Sequence, residues 1–467
     1  MLWLCLSLPH LPIELLQPAP TGCAAITDRR GARRVLIASN EAAREQGVFT
    51  GIDATVALAR EPSLRLLERA KSAELQALKA LAAWGEQFSS QVSFDAKRWL
   101  LWMEIGASIR YFGSLATLRA RIGEGIALLG YTAHVGIAAT PEAAALFAVN
   151  QRPLSVTSLS QLREALSELP LESLALDEKA HAALRASGLR STGEVLDLPA
   201  AALARRFGRE ATEYLQRLLG RAPDIRTPFR SPAKYRRLFE FADGVDSVEG
   251  LLFTLRRLLQ EFQGYLRGRD TAIQTLQLDL CHHDAPDTQL RLYTSTPQRD
   301  AQRLFALLRE KLERTTLPEA VLQMRLSAQE FVPLGHTQGD LFDDAPRHDA
   351  GWADLLDKLR ARLGEHCVRY LGLIDDHRPE KAWCVQDSAS EAQLAPGFPD
   401  RPLWILAPKP LHKLPTLLGT PERIEAGWWQ HGDSSRDYYL ARTPEGARWW
   451  LYREAATQQW FLQGLWG

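Results

Sequence analysis

Between Lys234 and Val332 the chain reads as a strand, a helix, two strands, a helix and a strand, in that order. The strand segments are Tyr235–Phe241, Ile273–Leu280, Leu290–Thr294 and Ala320–Ala328, the middle pair forming a hairpin. Val248–Leu266 and Arg299–Arg314 are the helices. A β-α-β-β-α-β order is a folding unit in its own right. It occupies only part of a chain of 467 residues, which is too long for one core, so further domains must flank it.

Residues 1–165 alternate strand and helix, an α+β pattern. Strands are predicted over Leu2–Leu8, Arg34–Ala38, Val92–Phe94, Trp99–Ile105 and His134–Ala138. Helices are predicted over Asn40–Gln46, Ala54–Arg60, Lys71–Phe88, Ser114–Gly130 and Pro141–Val149. Short helices joined by Gly and Ser turns then run from Pro170 to Pro228, including Asp177–Ser187, Ala200–Phe207 and Glu210–Leu219. Residues 333–348 are a linker rich in Gly, Asp and Pro, and residues 349–467 hold nine of the 13 tryptophans. That last module ends in a hairpin-like Asp437–Arg453 with a Pro444-Glu445-Gly446 turn.

Basic and acidic residues balance at 56 each, so any nucleic-acid binding must come from local basic surfaces. Cys5, Cys23, Cys281, Cys367 and Cys384 are scattered with no CxxC pair. That argues against a zinc site or a disulfide framework and suits a reducing cytoplasm. His10, His134, His282 and His283 show no metal-ligand spacing. No apolar run approaches bilayer length. Met1–Leu8 lacks a basic flank and is interrupted by Pro9, so it reads as a buried strand rather than a signal peptide.

Within the linker, Gln338-Gly339-Asp340-Leu341-Phe342 sets two large apolar side chains in a polar stretch, where no helical or strand period would bury them. An exposed Leu-Phe pair of this kind enters a partner's pocket. The string resembles the Gln-x-x-Leu-Phe peptide by which bacterial polymerases and repair proteins dock on the sliding clamp.

Three further strings carry a wider resemblance: Ala38-Ser39-Asn40-Glu41-Ala42-Ala43-Arg44-Glu45-Gln46-Gly47-Val48 followed by Gly51, then Val92-Ser93-Phe94-Asp95, then Val135-Gly136-Ile137-Ala138. They are similar to segments of the Y-family translesion DNA polymerases, and the domain order matches over roughly residues 1–335. The resemblance implies an α+β multidomain fold. A palm would span 1–165 with fingers inserted at about 25–75, a helix-hairpin-helix thumb 166–230, and a β-α-β-β-α-β little finger 233–332. The linker 333–348 and a C-terminal partner-binding module at 349–467 would follow, the latter not shared by active members.

The chemistry departs from that family. Phosphoryl transfer there needs Mg²⁺ held by clustered carboxylates. The family's first strand ends in Asp-x-Asp, and Ser7 and Pro9 stand at those positions. Its later Asp-Glu pair is here Asp95-Ala96, and Glu104 aligns with the far end of the following strand. Arg44 remains from the triphosphate grip, but Glu41 replaces a tyrosine and Leu146 a lysine. The resemblance therefore implies no catalytic residue, no metal and no other cofactor. It points to a catalytically dead branch of the family in bacterial damage-inducible mutagenesis. There the fold binds DNA and the sliding clamp (β subunit) in the cytoplasm, associated with the nucleoid. An error-prone DnaE-type polymerase, assisted by a RecA-like accessory protein, carries out synthesis. The rival reading is an active but divergent translesion polymerase using Asp95 and Glu104.

Arg226, Arg230, Lys234, Arg236 and Arg237, with Arg256, Arg257, Arg267 and Arg269 beyond them, are the predicted backbone contacts to DNA. The thumb segment Ser173-Leu174-Ala175-Leu176-Asp177 has none of the glycines with which a helix-hairpin-helix grips phosphate. A DNA grip and a purely structural helical domain both stay open there. The tryptophans Trp428, Trp429, Trp449, Trp450, Trp460 and Trp466 suit an aromatic core or a partner surface. Adjacent tryptophans in a strand face opposite ways, so one of each pair is expected on a protein-binding face.

Overall fold

The first strand, Trp3–Ser7, is the middle strand of a five-stranded sheet and is buried along its whole length. Burial on both faces is why its sequence is a continuous apolar run rather than an alternation. The computed structural model describes all residues except 17–18, 153–154, 335–345, 365–366, 375, 387–399, 427–433 and 467. Trp3–Ser7 pairs antiparallel with Leu100–Glu104 on one side and His134–Ala138 on the other. Val92–Asp95 and Ser155–Val156 form the edges. Leu4 and Leu6 pack with the helices Lys71–Gly85 and Leu115–Leu128. Trp3 and Cys5 pack with the helix Pro141–Val149, in a core shared with the helical segment that follows.

Helix Pro141–Val149 begins at Thr140, whose hydroxyl accepts from the Ala143 N–H, with Pro141 in the first turn. It lies so close to His134–Ala138 that a Cβ on Gly136 would overlap the Ala144 carbonyl. The helical segment holds Leu159–Ser167, Glu178–Ala186, Thr192–Leu196 and Ala200–Leu218. The last of these is broken at Gly208, so it is the two helices that the sequence predicts.

An insertion forms a separate three-stranded sheet from Arg33–Ser39, Ala24–Arg30 and Arg65–Glu68, with helices Glu41–Glu45 and Ala54–Arg60 on a small core of their own. The strands Ala24–Arg30 and Arg65–Glu68 pair in parallel and are additions to the sequence reading.

The β-α-β-β-α-β unit is present. Its four long strands run antiparallel in the order Thr288–Gln298, Thr271–Cys281, Val321–Ala328, Tyr235–Val245, and Val332–Pro333 pairs at one end. Helices Val248–Gly268 and Ala301–Leu312 share the core on one face and leave the other open. Helix Val248–Gly268 also docks on Lys71–Gly85, where a Cβ on Gly264 would overlap the Trp84 indole.

Helix Pro346–Leu363 is tied to this unit by Asp357, which is buried and accepts from the Ser295 N–H at 2.8 Å, the Ser295 hydroxyl at 2.7 Å and Arg303 Nη2 at 3.2 Å. The chain divides into compact units at 1–362 and 363–467, later than the boundary read from sequence at 348. The second unit holds the hairpin Tyr370–Leu373 and Trp383–Gln386. It also holds a five-stranded antiparallel sheet in the order Trp404–Pro410, Trp460–Leu465, Arg448–Glu454, Ser434–Arg442, Thr416–Ala426. Tyr438, Trp450 and Tyr452 form its aromatic core, with Phe461 and Trp466 against them. Trp450 is buried and Trp449 half-buried, as adjacent strand residues on opposite faces should be. Trp428, Trp429 and the 338–342 string lie outside the described residues. Among the described residues no helix is long and apolar enough to cross a membrane.

Candidate functional site

Asp95, Leu100, Ser7 and His134 stand in one register row across four adjacent strands. Neighbouring strands are about 4.8 Å apart, so Asp95 and Ser7 are about 10 Å apart at the backbone. This is the edge at which the polymerase resemblance would place metal-binding carboxylates. Ser7 is buried, and Pro9 follows in the turn with no side-chain ligand to offer.

Asp95 is already engaged. Its Oδ1 accepts from the N–H groups of Lys97 at 2.8 Å and Arg98 at 3.3 Å, and its Oδ2 accepts from Arg98 Nε at 2.9 Å. Partial burial raises its pKa, but the Arg98 guanidinium and these N–H groups outweigh that and hold the carboxyl below the usual range. Arg98 lies 3.5 Å from Glu142, which Arg226 binds at 2.8 Å. Arg226 is held in turn by Asp224 at 2.9 Å and stacks 3.8 Å over the Trp102 ring. The carboxylates of this cleft thus face guanidiniums.

Mg²⁺ demands near-octahedral hard oxygen ligands. A buried hydroxyl, a proline, Ala96 and one arginine-paired carboxylate do not fit it. Among the described residues no group of three or more His, Cys, Asp or Glu is placed to hold a metal. Glu104 pairs with Trp3, four residues along the sheet from the Ser7 row and therefore about 13 Å away. Its Oε1 accepts from the N–H groups of Leu2 at 3.0 Å and Gly106 at 3.1 Å. Asp95 and Glu104 sit at opposite ends of the strand pair and cannot share an ion.

The positions that the resemblance aligns with a triphosphate grip are also committed. Arg44 Nη1 donates to the Ser39 carbonyl at 2.7 Å and lies 3.3 Å from His10 Nδ1. Burial, with Arg44 and His134 nearby, pushes His10 below the ordinary imidazole range. Leu146 is packed in the core and Glu41 is exposed.

The open face of the four-stranded sheet is the second candidate region. Alternation in Tyr235–Val245 sends Tyr235, Arg237 and Phe239 inward and Arg236, Leu238 and Glu240 outward. Register aligns Arg236, Ser327, Gln277 and Arg291 in one row, with exposed guanidiniums at its two ends. Arg230 and Lys234 are exposed on the segment leading into the sheet. A polar face edged by cations suits contacts to phosphate without base readout. The sequence reading passes over Arg291. Its signal is the alternation of Gln289, Arg291 and Tyr293 with Leu290 and Leu292.

Four residues predicted to contact DNA lie off that open face. Arg237 points into the core and its Nε donates to Glu261 at 3.0 Å, the same carboxylate that takes the Tyr235 hydroxyl. Arg257 is buried, donates to the Glu14 carbonyl at 3.0 Å and lies 4.1 Å over the Tyr131 ring. Arg226 belongs to the cleft network. Arg256 is exposed on the helical layer, 4.8 Å over Phe305, rather than on the open face. A run of basic residues in sequence cannot all face one way once strand and helix periods divide it.

Residues 11–148 match the model of the impB/mucB/samB family. The chain is similar to Protein ImuB of Caulobacter vibrioides, 28% identical over 460 residues that cover 90% of this chain and 100% of that protein. Among solved structures it is similar to an insertion ternary complex of Dbh DNA polymerase, with TM-score 0.42 and 14% identity over 71% of this chain and 100% of that one. It is also similar to DinB from Sulfolobus solfataricus, with TM-score 0.40 and 13% identity over 71% of this chain and 100% of that one.

Proposed function

We propose, from the premise that this chain is an ImuB-like protein with a Y-family polymerase-like fold, that it is a non-catalytic scaffold in SOS-type DNA damage tolerance and induced mutagenesis. The observation that carries this reading is the cleft row. Ser7 and Pro9 stand where carboxylates are needed, Ala96 follows Asp95, and Arg98 occupies the one carboxylate left. Electrostatic stabilisation by metal-bound phosphate oxygens is the main resource of phosphoryl transfer, and these residues do not supply it.

In this reading the scaffold docks on the sliding clamp through Gln338, Gly339, Asp340, Leu341 and Phe342. It holds DNA on the open sheet face through Arg230, Lys234, Arg236 and Arg291. The C-terminal unit receives the error-prone DnaE-type polymerase and the RecA-like accessory protein. In support, the hairpin of that unit pairs Leu371 with Val385 and Leu373 with Trp383, and these four side chains are 47–74% exposed. Apolar side chains clustered in that way mark a protein-binding face.

Primer extension by the purified full chain on a primed template, with Mg²⁺ and all four deoxynucleotides, tests the central point. Neither the wild type nor Asp95→Ala should add a templated nucleotide. Templated addition that Asp95→Ala abolishes would overturn the reading in favour of a divergent polymerase.

A further inference from the structure

On the face of the first sheet opposite the cleft row, the helices Lys71–Gly85, Leu115–Leu128 and Val248–Gly268 surround a cavity of about 590 Å³. Three guanidiniums reach it from three elements: Arg121 on Leu115–Leu128, Arg267 at the end of Val248–Gly268, and Arg299 just before Ala301–Leu312. Two carboxylates also line it. Asp270 pairs with Arg299 at 3.0 Å, and Glu124 lies on the palm-like side. Arg121 lies 5.5 Å over the Phe112 ring. The Arg267 side chain has no hydrogen bond or ion pair among the described residues. Partial desolvation, then the neighbouring Arg299, weakens its hold on its proton, and Asp300 offsets part of that, although the side chain is exposed. Beside these cations the Tyr111 ring is 85% exposed, set edge-on to Phe112 with centroids 5.0 Å apart.

We propose that this cavity binds a nucleotide unit, with the phosphate taken by Arg121, Arg267 and Arg299 and the base stacked on Tyr111. A guanidinium without an ion-pair partner, set beside two others, favours the approach of a further anion. A phosphate accepts charge-assisted hydrogen bonds from several guanidiniums at once. An exposed flat aromatic ring next to cations is the pairing that nucleic-acid-binding surfaces use for a base and its phosphate. The volume falls in the range of small-ligand sites. The shared chemistry is a phosphate ester carrying a base, supplied either by a free nucleoside phosphate or by a single strand. The site is separate from both the cleft and the open sheet face, so it stands whether or not the scaffold reading does.

The test uses the full chain and two probes, N-methylanthraniloyl-ATP and a short 5′-fluorescein oligothymidylate, followed by fluorescence anisotropy. Arg267→Gln and Tyr111→Ala should each weaken binding of at least one probe about tenfold or more, as loss of one charge-assisted hydrogen bond or one stacked base does. The probe affected identifies the source of the phosphate. Arg309→Ala, at an exposed ion pair with Glu313 outside the cavity lining, should leave N-methylanthraniloyl-ATP binding unchanged. Because Tyr111 is exposed, its substitution leaves the fold intact, which unfolding midpoints would verify. If neither probe binds the wild type, or if both bind the two variants as they bind the wild type, the site does not exist.

Discussion

Arg236 and Arg237 are adjacent in sequence and opposite in environment, and the difference is measurable. Arg236 is exposed in a row that ends at Arg291, whereas Arg237 is locked to Glu261 inside the core. Replacing Arg236 and Arg291 by Ala should weaken binding to all DNA sequences alike and lower the slope of log affinity against log salt by about 2, read by anisotropy across a salt series. An unchanged slope would remove both from the interface. Arg237→Ala should act on folding instead. It leaves Glu261 charged, buried and without its partner, which costs about 3–5 kcal/mol in a urea unfolding curve. His10 gives a second residue-scale outcome. Its folded pKa lies below the ordinary 6.5 because of burial and then the Arg44 charge, so between the two values the unfolded chain binds the extra proton. Stability is therefore full above about pH 6.5 and falls as pH drops through that value toward the folded pKa. The gap in urea midpoint between wild type and His10→Gln should narrow or reverse over that interval. Parallel profiles would show that His10 titrates normally.

Among elements, the contact between Val248–Gly268 and Lys71–Gly85 is the most exacting. Gly264 presents its bare backbone to Trp84, and Gly268 approaches Glu86 and Gln87 in the same way. Gly264→Ala would drive a methyl group into the indole, an overpacking that costs about 1–3 kcal/mol and should appear as a lower denaturant midpoint. An unchanged midpoint would mean that the helices are not in contact in solution. The helices themselves are legible in the sequence because their caps are local. Asn40, Ser114, Thr140, Ser247 and Asp300 each accept a hydrogen bond from the first turn that follows. The strands Ala24–Arg30 and Arg65–Glu68 are not legible. They pair in parallel across about 40 residues, and Arg29, Arg30, Arg65 and Glu68 give them polar ends that read as loop.

For the whole molecule, the scaffold reading makes its sharpest demand on the 338–342 string, which precedes helix Pro346–Leu363 in the sequence. Burying Leu341 and Phe342 in a clamp pocket would contribute roughly 1.5–3 kcal/mol each, and a micromolar complex needs only about 8 kcal/mol in all. The double change Leu341→Ala with Phe342→Ala should abolish clamp binding in surface plasmon resonance while leaving DNA binding and the unfolding midpoint as they were. Normal clamp binding by that variant would place the docking site elsewhere in the chain. The sequence by itself determined the strand and helix order between Lys234 and Val332, the ends of most helices and the absence of carboxylates at Ser7, Pro9 and Ala96, because periods, caps and residue chemistry are local properties. Only the tertiary structure decided that Arg98 neutralises Asp95, that Glu104 lies at the wrong end of its strand, and that Arg226, Arg237 and Arg257 are withdrawn from solvent while Arg291 joins Arg236. Those outcomes depend on strand register and on which elements pack together, and both are set by contacts between residues tens to hundreds of positions apart.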